Sequence, residues 1–132
     1  MASQFMGAKA PKCFGIDLKE INVRFFPTGA GVPNFESEGG VASVTRTAAG
    51  KYLITLTDSY LKLRDAQLTY RDEQDNVDIY PQLGVVSNEG TVNPITIVVK
   101  LKTATANTDV SAGAGAKDRG VYCNFVFEDS TT

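Results

Sequence analysis

The sequence predicts an all-β protein, a single-domain antiparallel β-sandwich of about seven short strands with a jelly-roll-like arrangement. Short segments rich in β-branched and aromatic residues alternate apolar and polar positions, and turn residues separate these segments. No segment has the period of an amphipathic helix that is long enough to cover a sheet. The 132 residues suffice for one domain with one hydrophobic core.

The first strand follows an aperiodic segment. Residues 1–12 combine small residues with lysines and a proline, which predicts a flexible, extended N-terminal arm before a sandwich domain at residues 13–132. Apolar and polar residues then alternate over Ile16–Phe26, which predicts a strand. The alternation slips at Lys19 and Glu20, and we expect a β-bulge there.

A long loop and a hairpin are expected next. Residues 27–40 are rich in glycine and proline, which predicts a loop without regular structure. The strand candidates Val41–Thr47 and Lys51–Thr57 flank the small residues Ala48–Gly50, and we expect them to form a hairpin.

The central segment is less regular. Residues 59–66 could form one helical turn or an ordered connection, and Gln67–Arg71 resumes a strand pattern. Acidic residues around Asp72–Asn76 predict a turn. Val77, Ile79 and Pro81 then predict a strand that lies at an edge or ends early, because proline lacks the N–H that a central strand needs.

The last two strands have the clearest alternation. Ile95, Ile97, Val99 and Leu101 share one face of a predicted strand. Residues 104–120 are polar and are expected to be a mobile loop that buries no apolar area. In the closing strand, apolar residues alternate with Tyr122, Asn124 and Val126; they are Val121, Cys123, Phe125 and Phe127.

Composition disfavours several functional classes. The formal net charge is -2, with no basic cluster to attract nucleic acid. The chain has no histidine, which removes Ser-His-Asp catalysis, Cys-His catalysis and histidine-ligated zinc. No apolar run approaches the roughly 20 residues of a membrane span, and the N-terminus lacks the apolar stretch of a secretory signal. We therefore expect a protein of cytoplasmic synthesis with no nucleic-acid or membrane partner.

The remaining chemical motifs favour structural interpretations. Asp72–Asp78 has carboxylates and amides at alternate positions but lacks the glycine and glutamate of a calcium loop, so a solvated turn is the preferred interpretation. The glycines near Gly29 and Gly113 do not match a dinucleotide fingerprint or a P-loop. Carboxylates for a small hydrolase could come from Asp58, Asp65, Asp78 or Glu89, but nothing predicts a substrate cleft. We expect no enzyme activity, no cofactor and no metal.

The two cysteines lie near opposite ends of the chain. A bond between Cys13 and Cys123 would close a very long loop, and the sequence leaves open whether it forms. Buried, reduced thiols are the preferred interpretation, because both cysteines have apolar or strand-like neighbours. A catalytic thiol is disfavoured because no histidine can serve as its base.

Three segments resemble small virion proteins of tailed bacteriophages. They are GGVASVTRTAAGKYLITLTDSY at Gly39–Tyr60, INVRFFPTGAG at Ile21–Gly31 and VYCNFVFEDST at Val121–Thr131. Together they span the domain from its first strand to its last, as a pattern of β-branched and turn residues. The acidic turn at Asp72–Asp78 and both cysteines depart from that pattern.

The resemblance implies a virion structural protein, and the small size suggests a capsid decoration (cement) protein. Such a protein would bind the major capsid protein on the outer surface of the expanded head, as a homotrimer. The arm and residues 27–40 would then lie across neighbouring capsid subunits, with aromatic loop residues either folding under the sheet or forming the contact. The partner-binding candidates in these two segments are Phe5, Lys9, Lys12, Phe26, Pro33 and Phe35.

Two other functional classes remain open. The same sandwich could be a tail or neck connector, because the virion resemblance does not fix a location. It could also be a module that binds a carbohydrate receptor on the host, although the lack of tryptophan counts mildly against this.

Overall fold

The computed structural model describes residues 16–72, 78–104, 106–110 and 119–131. Within these residues the chain forms eight β-strands and no helix, which confirms the all-β prediction. The strands are β1 (Ile16–Phe26), β2 (Asn34–Ser37), β3 (Val41–Ala48), β4 (Lys51–Leu56), β5 (Lys62–Asp72), β6 (Tyr80–Ser87), β7 (Thr96–Lys102) and β8 (Arg119–Thr131).

The strands form two antiparallel sheets that pack face to face. Sheet A has the order β2-β1-β8-β5, and sheet B has the order β3-β4-β7-β6. The predicted β-sandwich is therefore confirmed. The finer expectation of a jelly roll is not confirmed. The two strands of each successive pair, β1/β2 in sheet A and β3/β4 and β6/β7 in sheet B, are neighbours in the same sheet.

The core lies between the sheets and follows the alternation of the sequence. Alternate residues point inward and are almost fully buried in β4, in β7, in β1 from Ile21 onward and in β8 from Val121 to Phe127. The predicted inward faces of β7 and β8 are confirmed: Ile95, Ile97, Val99, Leu101, Val121, Cys123, Phe125 and Phe127. Each large apolar side chain buried in this way contributes about 1.5–3 kcal/mol relative to an exposed one.

Aromatic rings join the two sheets. The ring centroids of Phe25 on β1 and Tyr52 on β4 are 5.0 Å apart. Near the opposite end of the sandwich, Tyr60 stacks on Phe127 of β8 at 5.1 Å. Because such pairs add about 0.5–1.5 kcal/mol beyond their buried area, they stabilise the packing of sheet A on sheet B.

Replacing Tyr52 by phenylalanine is expected to stabilise the protein by about 1 kcal/mol. The Tyr52 side chain is fully buried, and its hydroxyl has no hydrogen-bond partner among the described residues. Burial, together with the charge of Asp109, raises the pKa of Tyr52 to about 12. Denaturant unfolding of the Tyr52→Phe protein measures the change.

Tyr70 supplies the matched control for this substitution. Its hydroxyl donates a hydrogen bond of 2.8 Å to Oδ2 of Asp72, so Tyr70→Phe should destabilise the protein by about 1 kcal/mol. A loss of stability in both variants would mean that the Tyr52 hydroxyl is satisfied, contrary to the structure.

The structure corrects the prediction of an irregular segment at residues 27–40. Asn34–Ser37 forms β2, which pairs with Val23–Phe26 of β1. The hydroxyl of Ser37 also donates a hydrogen bond of 2.8 Å to the carbonyl of Asn22. The sequence did not predict this strand because it has only four residues, lies at a sheet edge and buries none of its side chains fully.

Neither alternative for residues 59–66, one helical turn or an ordered connection, extends beyond Leu61, because β5 begins at Lys62. A register shift between Leu63 and Asp65 places Leu63 opposite Phe127 and Ala66 opposite Phe125. Leu63 and Ala66 both pack against the core although they are three residues apart. Because of the bulge, two strand residues that are three positions apart both face the core, which is the spacing expected of an amphipathic helix.

The bulge in β1 lies between Asp17 and Leu18, and the predicted position at Lys19 and Glu20 is wrong. Leu18 faces outward and is 45% exposed, whereas Lys19 is an exposed polar residue opposite the buried Phe127. The alternation breaks at Lys19 because a polar residue, rather than a bulge, occupies the core-facing position at this end of sheet A.

The polar segment after β7 does bury apolar area, contrary to expectation. Val110 is buried, and its carbonyl accepts a hydrogen bond of 2.8 Å from the amide of Gly29. The amide of Thr108 donates to the carbonyl of Leu101 at 2.9 Å, so this segment folds back on β7.

Two predictions fall partly or wholly outside the description. Residues 1–12 and the turn at residues 73–77 lie outside the described residues. The edge position predicted for Pro81 is confirmed, because β6 is an edge strand of sheet B.

Candidate functional site

The described partner-binding candidates differ in exposure. Phe26 and Pro33 are buried within the chain, whereas Phe35 on the edge strand β2 is 37% exposed. Phe5, Lys9 and Lys12 lie outside the described residues. Of the described candidates, only Phe35 presents a substantial side-chain surface to a partner.

The loop before β2 is held by hydrogen bonds and presents a further apolar side chain. The amide of Gly29 is bonded to Val110, and the hydroxyl of Thr28 donates to the carbonyl of Val32 at 2.9 Å. The side chain of Val32 remains 69% exposed. We call these two exposed side chains, Val32 and Phe35, the loop patch. The sequence had not predicted Val32 as a contact residue.

The loop patch and the start of the described chain lie at opposite ends of β1. Ile16 pairs with Thr131 at one end of sheet A, and Phe26 pairs with Asn34 at the other. The 11 residues of β1 span about 33 Å at the usual rise of a strand. The first described residue of β1 is therefore far from the loop patch.

An ion pair fixes the sandwich near the loop patch. Arg46 on β3 donates from Nε and Nη2 to Asp109 at 2.9 and 2.6 Å, and the amide of Gly50 donates to Oδ1 of Asp109 at 2.9 Å. The hydrogen bond from Arg46 lowers the pKa of Asp109, with the amide of Gly50 contributing, and the same hydrogen bond raises the pKa of Arg46. Asp109 thereby joins the β3/β4 hairpin to the segment that carries Val110.

The outer face of sheet A carries a row of amide side chains. Asn124 on β8 lies opposite Asn22 on β1 and Gln67 on β5. In the neighbouring row, Tyr122 lies between Arg24 and Thr69. Together with Glu38 and Cys123, these six residues line a shallow depression of about 360 Å³, which we call the amide groove.

Two polar atoms in the amide groove have no hydrogen-bond partner among the described residues. They are Oδ1 of Asn124 and Nε of Arg24, and both are shielded from solvent. The Asn124 amide is oriented by a hydrogen bond of 2.8 Å from its Nδ2 to Oε2 of Glu20, which leaves Oδ1 facing away from that carboxylate. An unsatisfied buried polar atom costs about 1–3 kcal/mol.

Carboxylates outnumber cations beside the amide groove, where Glu20, Glu36 and Glu38 surround one arginine. Nε of Arg24 lies 3.7 Å from Oε1 of Glu36, and Nη2 of Arg24 lies 3.5 Å from Oε2 of Glu38. A second depression, of about 450 Å³, adjoins Tyr122 on its other side and is lined by Thr69, Tyr70, Arg71 and Tyr122. Arg71 donates from Nη1 to the hydroxyl of Tyr122 at 3.4 Å.

Cys123 lies beneath the amide groove and is 4% exposed. Within the described residues it forms no disulfide, and burial raises its pKa to about 12. Its thiol is therefore protonated at neutral pH and is a poor nucleophile. This agrees with the expected buried, reduced state for Cys123, while Cys13 lies outside the described residues.

Sequence analysis could not identify the amide groove. The alternation of β8 does predict that Tyr122 and Asn124 face outward. The neighbours Asn22 and Gln67 are 102 and 57 positions away from Asn124 in the sequence, and only the pairing of β1, β8 and β5 brings the three amides together.

Metal sites and membrane-spanning helices are absent from the described residues. The described residues contain no cluster of three or more cysteine, aspartate or glutamate side chains arranged to hold a metal ion. They also contain no helix with the length and apolar character of a membrane span. No family model matches the sequence, and neither the curated proteins nor the solved structures give a significant match.

Proposed function

We propose that this chain is a non-enzymatic bacteriophage virion protein, a capsid decoration (cement) protein that binds the outside of the expanded head. It would stabilise contacts between major capsid subunits. The proposal rests on the sequence resemblance to small phage virion proteins. The structural observation that supports it is that the exposed side chains of Val32 and Phe35 lie at one end of β1, whereas the described chain begins at the other end.

A cement protein needs to touch more than one subunit. The described chain begins with Ile16 at one end of sheet A, and the loop patch of Val32 and Phe35 lies at the other, about 33 Å away along β1. One copy could therefore join two neighbouring capsid subunits. Exposed apolar side chains in a loop held by hydrogen bonds suit such a contact, because little order has to be gained on binding.

The resembling segments also form a coherent part of the fold. Gly39–Tyr60 contains the β3/β4 hairpin, and Ile21–Gly31 and Val121–Thr131 lie mainly on the paired strands β1 and β8. The resemblance thus extends over both sheets. A homotrimer would add avidity, since three linked copies raise the effective concentration of each contact.

Co-sedimentation with isolated phage heads tests this proposal. Full-length protein should bind expanded heads saturably, and removal of residues 2–12 should weaken binding by about tenfold or more while far-UV circular dichroism stays unchanged. The double variant Val32→Ser and Phe35→Ser should weaken binding by a similar factor. Light scattering of the free protein measures whether it is a trimer.

Val85 provides a matched control for the loop patch. It is 66% exposed on β6, an edge strand of sheet B, so Val85→Ser changes an apolar surface side chain on the other sheet from β2. Its binding to heads should equal that of the unchanged protein. Binding to isolated tails alone would favour a tail or neck connector, and binding to neither heads nor tails would overturn the virion proposal.

A further inference from the structure

We propose that the amide groove on the outer face of sheet A is a binding site for a neutral glycan. The site is formed by Asn22, Gln67 and Asn124 in one row and by Arg24, Thr69 and Tyr122 in the next. This inference goes beyond the proposed role on the capsid. It does not depend on where in the virion the protein is located.

The unsatisfied polar atoms favour a ligand that both donates and accepts hydrogen bonds. Among the described residues, Oδ1 of Asn124 has no donor, and Nε of Arg24 has only Oε1 of Glu36 at 3.7 Å, which is beyond hydrogen-bond distance. A sugar hydroxyl can do both, and neighbouring hydroxyls of a pyranose can bond to a side-chain amide as a pair. Gln67 is exposed opposite Asn124, so a change in its rotamer can admit a ligand hydroxyl to Oδ1.

The local charges favour a neutral ligand over an anionic one. Arg24 is accompanied by Glu36 and Glu38, and Glu20 accepts the amide of Asn124. A phosphate or carboxylate entering the groove would approach these carboxylates, whereas an uncharged ligand would not. The same excess of carboxylates disfavours a nucleic-acid strand, which requires an excess of positive charge.

Tyr122 gives the site an apolar surface as well. Its ring lies between the amide groove and the second depression, and its hydroxyl is held by Arg71. An aromatic face next to hydrogen-bonding groups matches a sugar ring, which has C–H groups on its face and hydroxyls at its edge. Two adjoining depressions on either side of Tyr122 fit an oligosaccharide better than a single sugar.

The first experiment is an array of immobilised neutral and sialylated glycans probed with the full-length protein. The glycan with the strongest signal is then titrated in solution, and backbone amide NMR shifts are followed. We expect a neutral oligosaccharide to bind, with shifts concentrated on the central residues of β1, β5 and β8. Because the ligand is uncharged, added salt should leave the affinity unchanged.

Substitutions in the groove distinguish glycan binding at this site from non-specific adhesion elsewhere on the protein surface. Tyr122→Ala should lower the affinity by about tenfold, and Gln67→Ala by about threefold. Gln67 is exposed, so its variant is expected to fold normally even if Tyr122→Ala does not. The control is Tyr80→Ala, because Tyr80 is 45% exposed on β6 of the other sheet.

Several results would overturn the glycan site. These are no binding to any glycan of the array, a preference for sialylated glycans that salt abolishes, or equal losses in the Tyr122 and Tyr80 variants. Head binding is measured separately with the same preparations, so failure of the capsid proposal leaves this test unaffected. Likewise, a protein that binds heads but no glycan would retain the capsid role alone.

Discussion

Gly50→Ala is expected to destabilise the protein by at least about 3 kcal/mol. Gly50 has a φ of 64°, in the left-handed region that disfavours side chains. A Cβ at this position would lie 2.5 Å from the amide nitrogen of Thr108 and 2.6 Å from the carbonyl oxygens of Leu101 and Thr108. These are backbone atoms, so no change of rotamer can relieve the overlap.

The close packing around Gly50 joins three parts of the chain. The amide of Leu101 donates to the carbonyl of Gly50 at 2.8 Å, and the amide of Gly50 donates to Asp109 at 2.9 Å. Moving the turn away from Thr108 would break hydrogen bonds to both β7 and the segment that follows it. The strain of the alanine variant therefore cannot be relieved locally.

Gly29 supplies the matched control, because its φ is 73° and nothing lies within 4 Å of an added Cβ. Gly29→Ala carries only the backbone penalty and should cost about 1–2 kcal/mol. Denaturant unfolding of both variants compares the two costs. If the losses were equal, the contact between Gly50 and Thr108 would not contribute to stability.

At Gly50 the sequence predicts the turn but not the packing around it. The small residues Ala48–Gly50 between two strand patterns predict the turn, and the turn is present. The packing of that turn on Thr108 was not predictable, because the contact joins residues 58 positions apart in a polar segment. Local patterns specify local structure, whereas contacts of this kind follow from the assembled sandwich.

The strands also differ in whether their own sequence pattern predicts them. In β7 and in the Val121–Phe127 part of β8, the alternation is regular and each inward residue is buried, so both strands were predictable from the sequence. In β5 a bulge between Leu63 and Asp65 interrupts the alternation, and the prediction was wrong. β2 has no buried apolar face, so its position as an edge strand follows from pairing with β1 rather than from its own pattern.

The candidate sites differ in the same way. Aromatic residues near the loop suggested a contact surface, but only the structure separates exposed Phe35 from buried Phe26. The amide groove depends on three strands distant in sequence and was missed entirely. A binding surface on a sheet face is specified by strand order, which single-sequence patterns do not reveal.

Asp109→Ala is expected to destabilise the protein by about 2 kcal/mol near neutral pH. The substitution removes two hydrogen bonds from Arg46 and one from the amide of Gly50. It also leaves the guanidinium of Arg46 without its carboxylate, in a site where both side chains are about three-quarters buried. Asp78→Ala, at an exposed described position, is the control and should change stability by less than about 0.5 kcal/mol.

The pH dependence of this difference identifies its cause. The pKa of Asp109 is lowered in the folded protein, chiefly by the hydrogen bond from Arg46, so its carboxylate stabilises the fold above the pKa of the unfolded chain. That contribution is lost as pH falls through the folded value. The difference in stability between the unchanged protein and Asp109→Ala should therefore shrink from about pH 5 downward, as measured by thermal unfolding. A difference that stayed constant into strong acid would show that packing of the Asp109 side chain, rather than its charge, holds the hairpin to the segment carrying Val110.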